Sequence, residues 1–599
     1  MDVIKSLCLC LLYSGISCTH ITVKTELGEL IGENVQATFQ GETLTVDRYL
    51  GVPYAQPPVG ELRFQKPLPA KPFETPFDAT KYGAMCPQFD LVLKGPAQFD
   101  QSEDCLFMNI YVPNQKPDKD SGHSVMFFIH GGGFSMGTGN IYRGEVLSAF
   151  SNVIVVTINY RIGLLGFLDL NDDRARGNFG LWDQRQALLW VNKHIKSFGG
   201  DKDRVTIFGE SAGATSVTAQ MLYPPNKGLF QNAIAESGSV TMAFLFPDDT
   251  MMGAVSFAEA AECSSESTDD LLKCFMEMSG DKPTELIADA VTKDGLKATQ
   301  RFSIIPTVDG EFFKLKPSTL MKLSLEETVE EIEFARTINF INGINEAEGA
   351  ISLMMLGTPE EVENLQISRE QMNDELIPLA FAFGFGFGRT LPEVVKKILV
   401  SEYTDWTGPN DPFKLRDQFI RLNGDIYFNA PGIAFSLLHA NGTDESSYVY
   451  MFSAVVDLQT LPTPSWFNKA NHGDEVAAVF GYNFDLLMIM NMTEYEVPSS
   501  ELDLSARMMT YWSNFAKSGN PNLPIASKQS IESWPKYNVE EQRYKVLDYE
   551  ESNGQFLFAH ETDLWTNILP AVLDVSEKAS EKKSMYSEDQ KVCEKDGEC

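Results

Sequence analysis

At 599 residues the chain exceeds an average single domain, although large α/β enzymes reach this length as one folding unit. It is 43% hydrophobic and 22% charged, a globular balance with material for a sizeable core. The formal net charge of -35 argues against nucleic acid and anionic membrane surfaces as partners and leaves a solvated acidic surface as the plainest reading.

Residues 1–18 read as a signal peptide. Lys5 stands in the n-region, Leu7-Cys8-Leu9-Cys10-Leu11-Leu12 forms the h-region, and the small residues Ser14, Gly15 and Ser17 follow. No later apolar run spans a bilayer and no apolar tail offers a lipid anchor, so secretion is expected. Without Cys8, Cys10 and Cys18, six cysteines are left: Cys86, Cys105, Cys263, Cys274, Cys593 and Cys599. An even count in an oxidising compartment points to disulfides; sequential pairing closes short loops, but fifteen connectivities are formally open. Asn441-Gly442-Thr443 and Asn491-Met492-Thr493 are glycosylation sequons on the same route.

Along the chain, Val125-Met126-Phe127-Phe128-Ile129 and Val153-Ile154-Val155-Val156-Thr157-Ile158 are too continuously apolar to be half-exposed. They read as central strands of a sheet covered on both faces. Residues 183–198 carry a helical pattern that Gly199-Gly200 stops; residues 204–208 read as a strand and 212–221 as a helix of small residues. Strand, helix, strand, turn and helix in that order make a doubly wound α/β plan. There is no internal repeat. Residues 360–388 are partly helical, and their Phe381-Ala382-Phe383-Gly384-Phe385-Gly386-Phe387-Gly388 tract reads as packing around small residues. From about Ser576 the chain is polar and its tail is expected to be disordered.

Gly209-Glu210-Ser211-Ala212-Gly213, between the 204–208 strand and the 212–221 helix, is a G-x-S-x-G turn. So short a pattern recurs by chance, but in this context it is a nucleophile elbow, whose glycines permit a turn that holds the serine exposed. A serine so placed needs donors for a developing oxyanion and a base for its proton. His130-Gly131-Gly132-Gly133-Phe134 follows the first strand in the H-G-G-G form that lines oxyanion holes. The amides of Gly132, Gly133 and Ala212 are the candidate donors, each worth roughly 3–4 kcal/mol in such sites. In this fold the chain order is serine, acid, histidine, and only His439, His472 and His560 follow Ser211. His439 ends a helical run and His560 lies near the far end, so each reads as a surface or packing residue. His472, in the polar loop Asn471-His472-Gly473-Asp474-Glu475, is the candidate base. The acid is not identifiable from chemistry alone.

The chain resembles the type-B carboxylesterases, the cholinesterase and carboxylesterase family of the α/β-hydrolase fold. The resemblance rests on Tyr49-Leu50-Gly51-Val52-Pro53-Tyr54-Ala55, Arg63-Phe64, Glu103-Asp104-Cys105-Leu106-Phe107-Met108-Asn109, Asn159-Tyr160-Arg161, Phe198-Gly199-Gly200-Asp201, the elbow, Val308-Asp309-Gly310 and Trp512-Ser513-Asn514-Phe515-Ala516. It implies a central, mostly parallel twisted sheet flanked by helices over residues 19–570, with a polar tail over 571–599. It implies Glu348, in Gly343-Ile344-Asn345-Glu346-Ala347-Glu348-Gly349 after a strand at residues 337–341, as the acid, with Glu346 as nearest rival. Ser237 resembles a serine that hydrogen-bonds around that acid. The resemblance also implies disulfides Cys86–Cys105 and Cys263–Cys274 and structural ion pairs Arg63–Glu103 and Arg161–Asp183. The tail cysteines, Cys593 and Cys599, lie outside the shared core and are free to pair with each other or with another subunit. Cholinesterases carry a tryptophan for cation–π binding about ten residues before the cysteine of the Glu-Asp-Cys motif; Gly95 stands there, which argues against choline esters.

The expectation is therefore a secreted serine hydrolase of carboxylic esters, working through an acyl-enzyme without metal or cofactor. Its activity should fall below about pH 6.5 as the histidine protonates. Two other readings stay open: a lipase or sterol esterase acting on long acyl chains, and a non-catalytic, neuroligin-like adhesion or binding protein.

Overall fold

The computed structural model describes residues 19–88, 99–242, 244–278, 304–386, 389–442, 445–459, 461, 463–482, 496–524 and 531–579. The leader 1–18, Gly95, Phe387-Gly388, the Asn491 sequon, Cys593 and Cys599 lie outside the described residues.

One thirteen-stranded mixed sheet organises the chain. Its central strands run parallel, in the order Ile154–Ile158, His123–Ile129, Gly200–Glu210, Asn232–Glu236, Asn339–Asn345, Ser447–Phe452 and Arg543–Leu547. Every residue of His123–Ile129 and Ile154–Ile158 is buried, as unbroken β-branched and aromatic runs require of strands covered on both faces. Four antiparallel pairings extend the first edge through Phe107–Pro113, Glu42–Pro53, Gly28–Phe39 and Thr19–Thr25. Ser552–Gln555 closes the other edge antiparallel to Arg543–Leu547.

The helix Phe179–His194 and a 3-10 turn Ile195–Phe198 cover the sheet where the 183–198 pattern placed a helix, beginning one turn earlier. The helix Ala212–Met221 falls where its small residues predicted it. The strand expected at residues 337–341 is shifted to Asn339–Asn345. Its polar residues find partners rather than ending it: Asn339 Nδ2 donates to Asn232 Oδ1 on the neighbouring strand at 2.9 Å, and Asn345 Nδ2 donates to Asn471 O, in the loop before residue 474, at 2.7 Å. Residues 381–385 of the Phe381 tract end the helix Ile377–Phe385, with Phe381 and Phe383 buried. The helix that begins at Ala559 continues through a π-helical turn to residue 579, past the boundary at 570, because Leu569 and Leu573 find a place in the core.

Disulfides join Cys86 to Cys105 and Cys263 to Cys274. Arg63 donates to Glu103 (Nε–Oε2 2.7 Å), and Arg161 makes a two-pronged pair with Asp183, at 2.7 Å on each prong. Asp183 is fully buried, and its guanidinium partner offsets a desolvation that would be costly for a lone carboxylate. The first pair joins two loops, and the second ties the segment after Ile154–Ile158 to the helix Phe179–His194. Among the described residues no helix is long and apolar enough to cross a membrane.

Candidate active site

The register of the central strands brings three carboxyl ends level. Glu210 is paired with Glu236, and Glu236 with Gly343 on the next strand. In sheets of this kind the crevice beyond those ends is where ligands bind.

At the end of Gly200–Glu210 the chain turns at Ser211, with φ 59° and ψ -121°, and the helix Ala212–Met221 starts at once. Such a conformation costs a non-glycine residue about 1–3 kcal/mol and persists only where neighbours impose it. Here Ser211 N donates to Glu236 O at 2.8 Å, and Ser211 O accepts from Thr215 N at 2.9 Å. A Cβ on Gly213 would stand 2.0 Å from Ile129 O, so only glycine lets the turn lie this close to the neighbouring strand. Ser211 itself is half-buried.

The H-G-G-G loop lies directly against this turn, since a Cβ on Gly131 would come within 3.1 Å of Ser211 Cβ. Gly132 and Gly133 have φ of 104° and 60°, which turns their amides away from regular pairing. Among the described residues, the amides of Gly132, Gly133 and Ala212 donate to no other group. His130 is buried beneath the loop, its ring stacked 4.4 Å from that of Tyr160 and its Nδ1 2.8 Å from Gly131 O. Burial pushes its pKa down to about 4, so it is neutral near pH 7 and serves as loop scaffolding.

His472 precedes Gly473 (φ 78°) and the helix Asp474–Val479. Its Nδ1 lies 2.6 Å from Glu348 Oε2, and the other carboxylate oxygen accepts from Asn345 N at 2.7 Å. Both side chains are buried. A carboxylate can only accept at that distance, so Nδ1 carries the proton and Nε2 has its lone pair free. Nε2 makes no hydrogen bond among the described residues, while Glu210 Oε1 stands 3.1 Å from it. Glu210 is the residue before Ser211, so the imidazole and Glu348 lie near the serine turn. Burial opposes charge on the imidazole, but the carboxylates of Glu210 and Glu348 outweigh it and raise the pKa above 6.5. An imidazole oriented by a buried carboxylate, beside a serine on a strained turn and unpaired amides, is an arrangement suited to acyl transfer.

The rival residues sit elsewhere. Glu346 pairs with Lys469 at 3.0 Å. His439 is a buried packing residue, 2.6 Å from Ser447 Oγ and 2.8 Å from Ile338 O. His560 is 63% exposed and pairs with Glu402. Asn441, the acceptor of the first sequon, is exposed at the end of the helix Ala430–Ala440.

Three further buried carboxyl groups, unmarked by any motif of their own, lie around the pair. Burial pushes Glu210 up to about 7, with His472 opposing and Glu348 reinforcing the rise. Burial likewise raises Glu236 to about 8 against the hydrogen bond from Trp512 Nε1, at 2.7 Å. Glu475 is raised well above the carboxylate range by burial and by Glu236, Glu348 and Glu210. Ser237 Oγ donates to this Glu475, at 3.5 Å, and not to Glu348 among the described residues, while Asn345 Nδ2 donates to Glu475 Oε2 at 2.5 Å. The available signal was position: each glutamate adjoins a residue already picked out or lies in its motif. A cavity of about 810 Å³, lined by Met242, Phe246, Phe385, Ile426 and Trp565 among others, has none of Ser211, Glu348 or His472 on its walls. Among the described residues no cluster of His, Cys, Asp and Glu is grouped to hold a metal ion.

The carboxylesterase family profile matches residues 19–565. Carboxylesterase 5A of Felis catus is 35% identical over 560 residues, which span 91% of this chain and 93% of that relative. Pyrethroid hydrolase Ces2a of Mus musculus is 35% identical over 536 residues, 88% of each chain. Neuroligin-3 of Mus musculus is 32% identical over 624 residues, 94% of this chain and 72% of that relative.

Proposed function

Since the chain belongs to the carboxylesterase family and is a carboxylic ester hydrolase, we propose that it cleaves its esters through an acyl-enzyme on Ser211. His472 Nε2 takes the hydroxyl proton as Oγ attacks the ester carbonyl and later delivers it to the departing alkoxide. Glu348 fixes the tautomer and stabilises the imidazolium. The amides of Gly132, Gly133 and Ala212 receive the oxyanion, and Ser237 steadies the surroundings through Glu475. Water then repeats the sequence on the acyl-enzyme and frees the acid. The observation that carries this reading is the 2.6 Å contact of His472 Nδ1 with buried Glu348, which leaves Nε2 unpaired beside the Ser211 turn.

Secretion belongs to the same proposal. The leader at residues 1–18 and two disulfides support passage through an oxidising compartment, with Asn441 and Asn491 as glycan acceptors. The likeness to Neuroligin-3 supports a second reading, a binding protein that keeps the fold and the site without turnover.

Hydrolysis of an ester panel running from acetate to oleate, with cationic alcohols included and bile salt added in parallel, separates these readings. The proposal expects turnover of at least one neutral ester and its loss, by about 10⁶-fold, in Ser211→Ala. Preference for oleate with bile salt moves the assignment to a lipase or sterol esterase. No turnover of any ester supports the binding protein.

A further inference from the structure

One helix end packs against His472 and against the segment that carries Glu348. The helix Pro412–Gly424 passes into Ala430–Ala440 through a π-helical turn, Asp425–Asn429. Such turns are costly and gather at functional sites, because the extra residue redirects the side chains that follow. On one side of the turn, Gly424 abuts the acid's loop: a Cβ on Gly349, the residue after Glu348, would stand 2.5 Å from Gly424 N and 1.8 Å from Ile420 O. On the other, the buried ring of Phe428 lies over the imidazole of His472, with centroids 4.3 Å apart and planes tilted by 36°. The turn is fixed across its own length, since buried Asp425 accepts from Asn429 Nδ2 at 2.8 Å and from Tyr403 Oη at 2.9 Å. Tyr403 in turn accepts from Trp565 Nε1 at 2.8 Å.

We propose that Phe428, presented by the Asp425–Asn429 turn, is a positioning residue that holds the His472 imidazole in plane with Glu348 and faces the imidazolium as it forms. The inference rests on His472 being the base. Nδ1 is tied to Glu348, but a single hydrogen bond leaves the ring free to swing about it, and Glu210 Oε1 offers Nε2 a competing partner at 3.1 Å. A ring against the imidazole face removes that freedom. The same π-face attracts the cation that exists only while the proton is on Nε2, so its contribution grows as the reaction proceeds. Phe428 is therefore expected to affect turnover rather than ester binding.

The test compares Phe428→Leu, which keeps apolar bulk without a ring, with Phe428→Tyr, which keeps the ring. Two readouts are taken on the full chain: kcat and KM on the best ester of the panel, and the strongly deshielded Nδ1 proton of His472 in the proton NMR spectrum. Phe428→Leu is expected to lower kcat about tenfold or more, with KM within about twofold, and to broaden the deshielded resonance. Phe428→Tyr is expected to restore both. A Phe428→Leu enzyme with wild-type kcat and an unchanged resonance overturns the proposal, as does a change confined to KM, which would make Phe428 part of the substrate pocket. If the wild-type protein lacks the deshielded resonance, or Ser211→Ala keeps its activity, the underlying site reading fails, and neither result depends on residue 428.

Discussion

At the scale of single residues, the distinctive chemistry is an imidazole set among buried carboxyl groups. His472 has Glu348 on one nitrogen and Glu210 near the other, and together they raise its pKa above 6.5. As the proposed base, His472 must be neutral to act, so a raised pKa moves the acid limb of activity upward. The profile of kcat/KM against pH should have its acid-side midpoint above 6.5, and Glu210→Gln should move that midpoint to lower pH by removing one stabilising carboxylate. A midpoint unchanged in Glu210→Gln would show that Glu210 does not act on the imidazole. Ser211 and His472 could be proposed from the sequence because each stands in a short motif and few histidines follow Ser211, whereas Glu348 came only from the family resemblance. Glu210, Glu236 and Glu475 were not read as a cluster. Among 83 acidic residues nothing in composition marks the few that fold inward. Phe428 was invisible for a different reason: its meeting with His472 is long-range, and an aromatic residue in a helix reads as core.

At the scale of elements, the parallel centre of the sheet was legible because its strands are nearly uniform in polarity. Burial on both faces leaves no alternation to confuse with a helix over five or six residues. Asn339–Asn345 was placed two residues early at its start and four at its end because Asn342, Gly343 and Asn345 read as turn chemistry. In the fold Asn342 and Asn345 are buried, and Gly343 admits the Tyr450 ring: a Cβ there would stand 1.8 Å from Tyr450 Cζ. The first antiparallel strands, such as Thr19–Thr25 with its run THITVKT, carry a polar alternation that gave no strong signal. The π-helical turn at Asp425–Asn429 has no sequence signature at all. It arises where the helix must present Asp425 to Tyr403 and Phe428 to His472 at once.

For the whole molecule, the buried carboxyl groups tie the site to global stability. Glu236 is raised from 4.5 to about 8, with burial as the main cause. Between those values the folded chain holds a proton that the unfolded chain releases, so stability is full below about pH 4.5 and falls as pH rises toward 8. The penalty is on the order of a few kcal/mol. Glu236→Gln keeps a carbonyl for Trp512 Nε1 and has nothing to ionise. Urea unfolding should show a smaller loss of stability from pH 5 to pH 8 in this variant than in the wild type, and equal slopes would mean that Glu236 titrates normally.

The proposed chemistry requires Ser211 to be the nucleophile. An aryl phosphonate that traps activated serines, followed by peptide mass mapping, tests this without knowledge of the natural ester. The prediction is one adduct, on the peptide bearing Ser211, absent in Ser211→Ala and strongly slowed in His472→Ala. Absence of any adduct on the wild-type protein, or an adduct that survives Ser211→Ala, would contradict it.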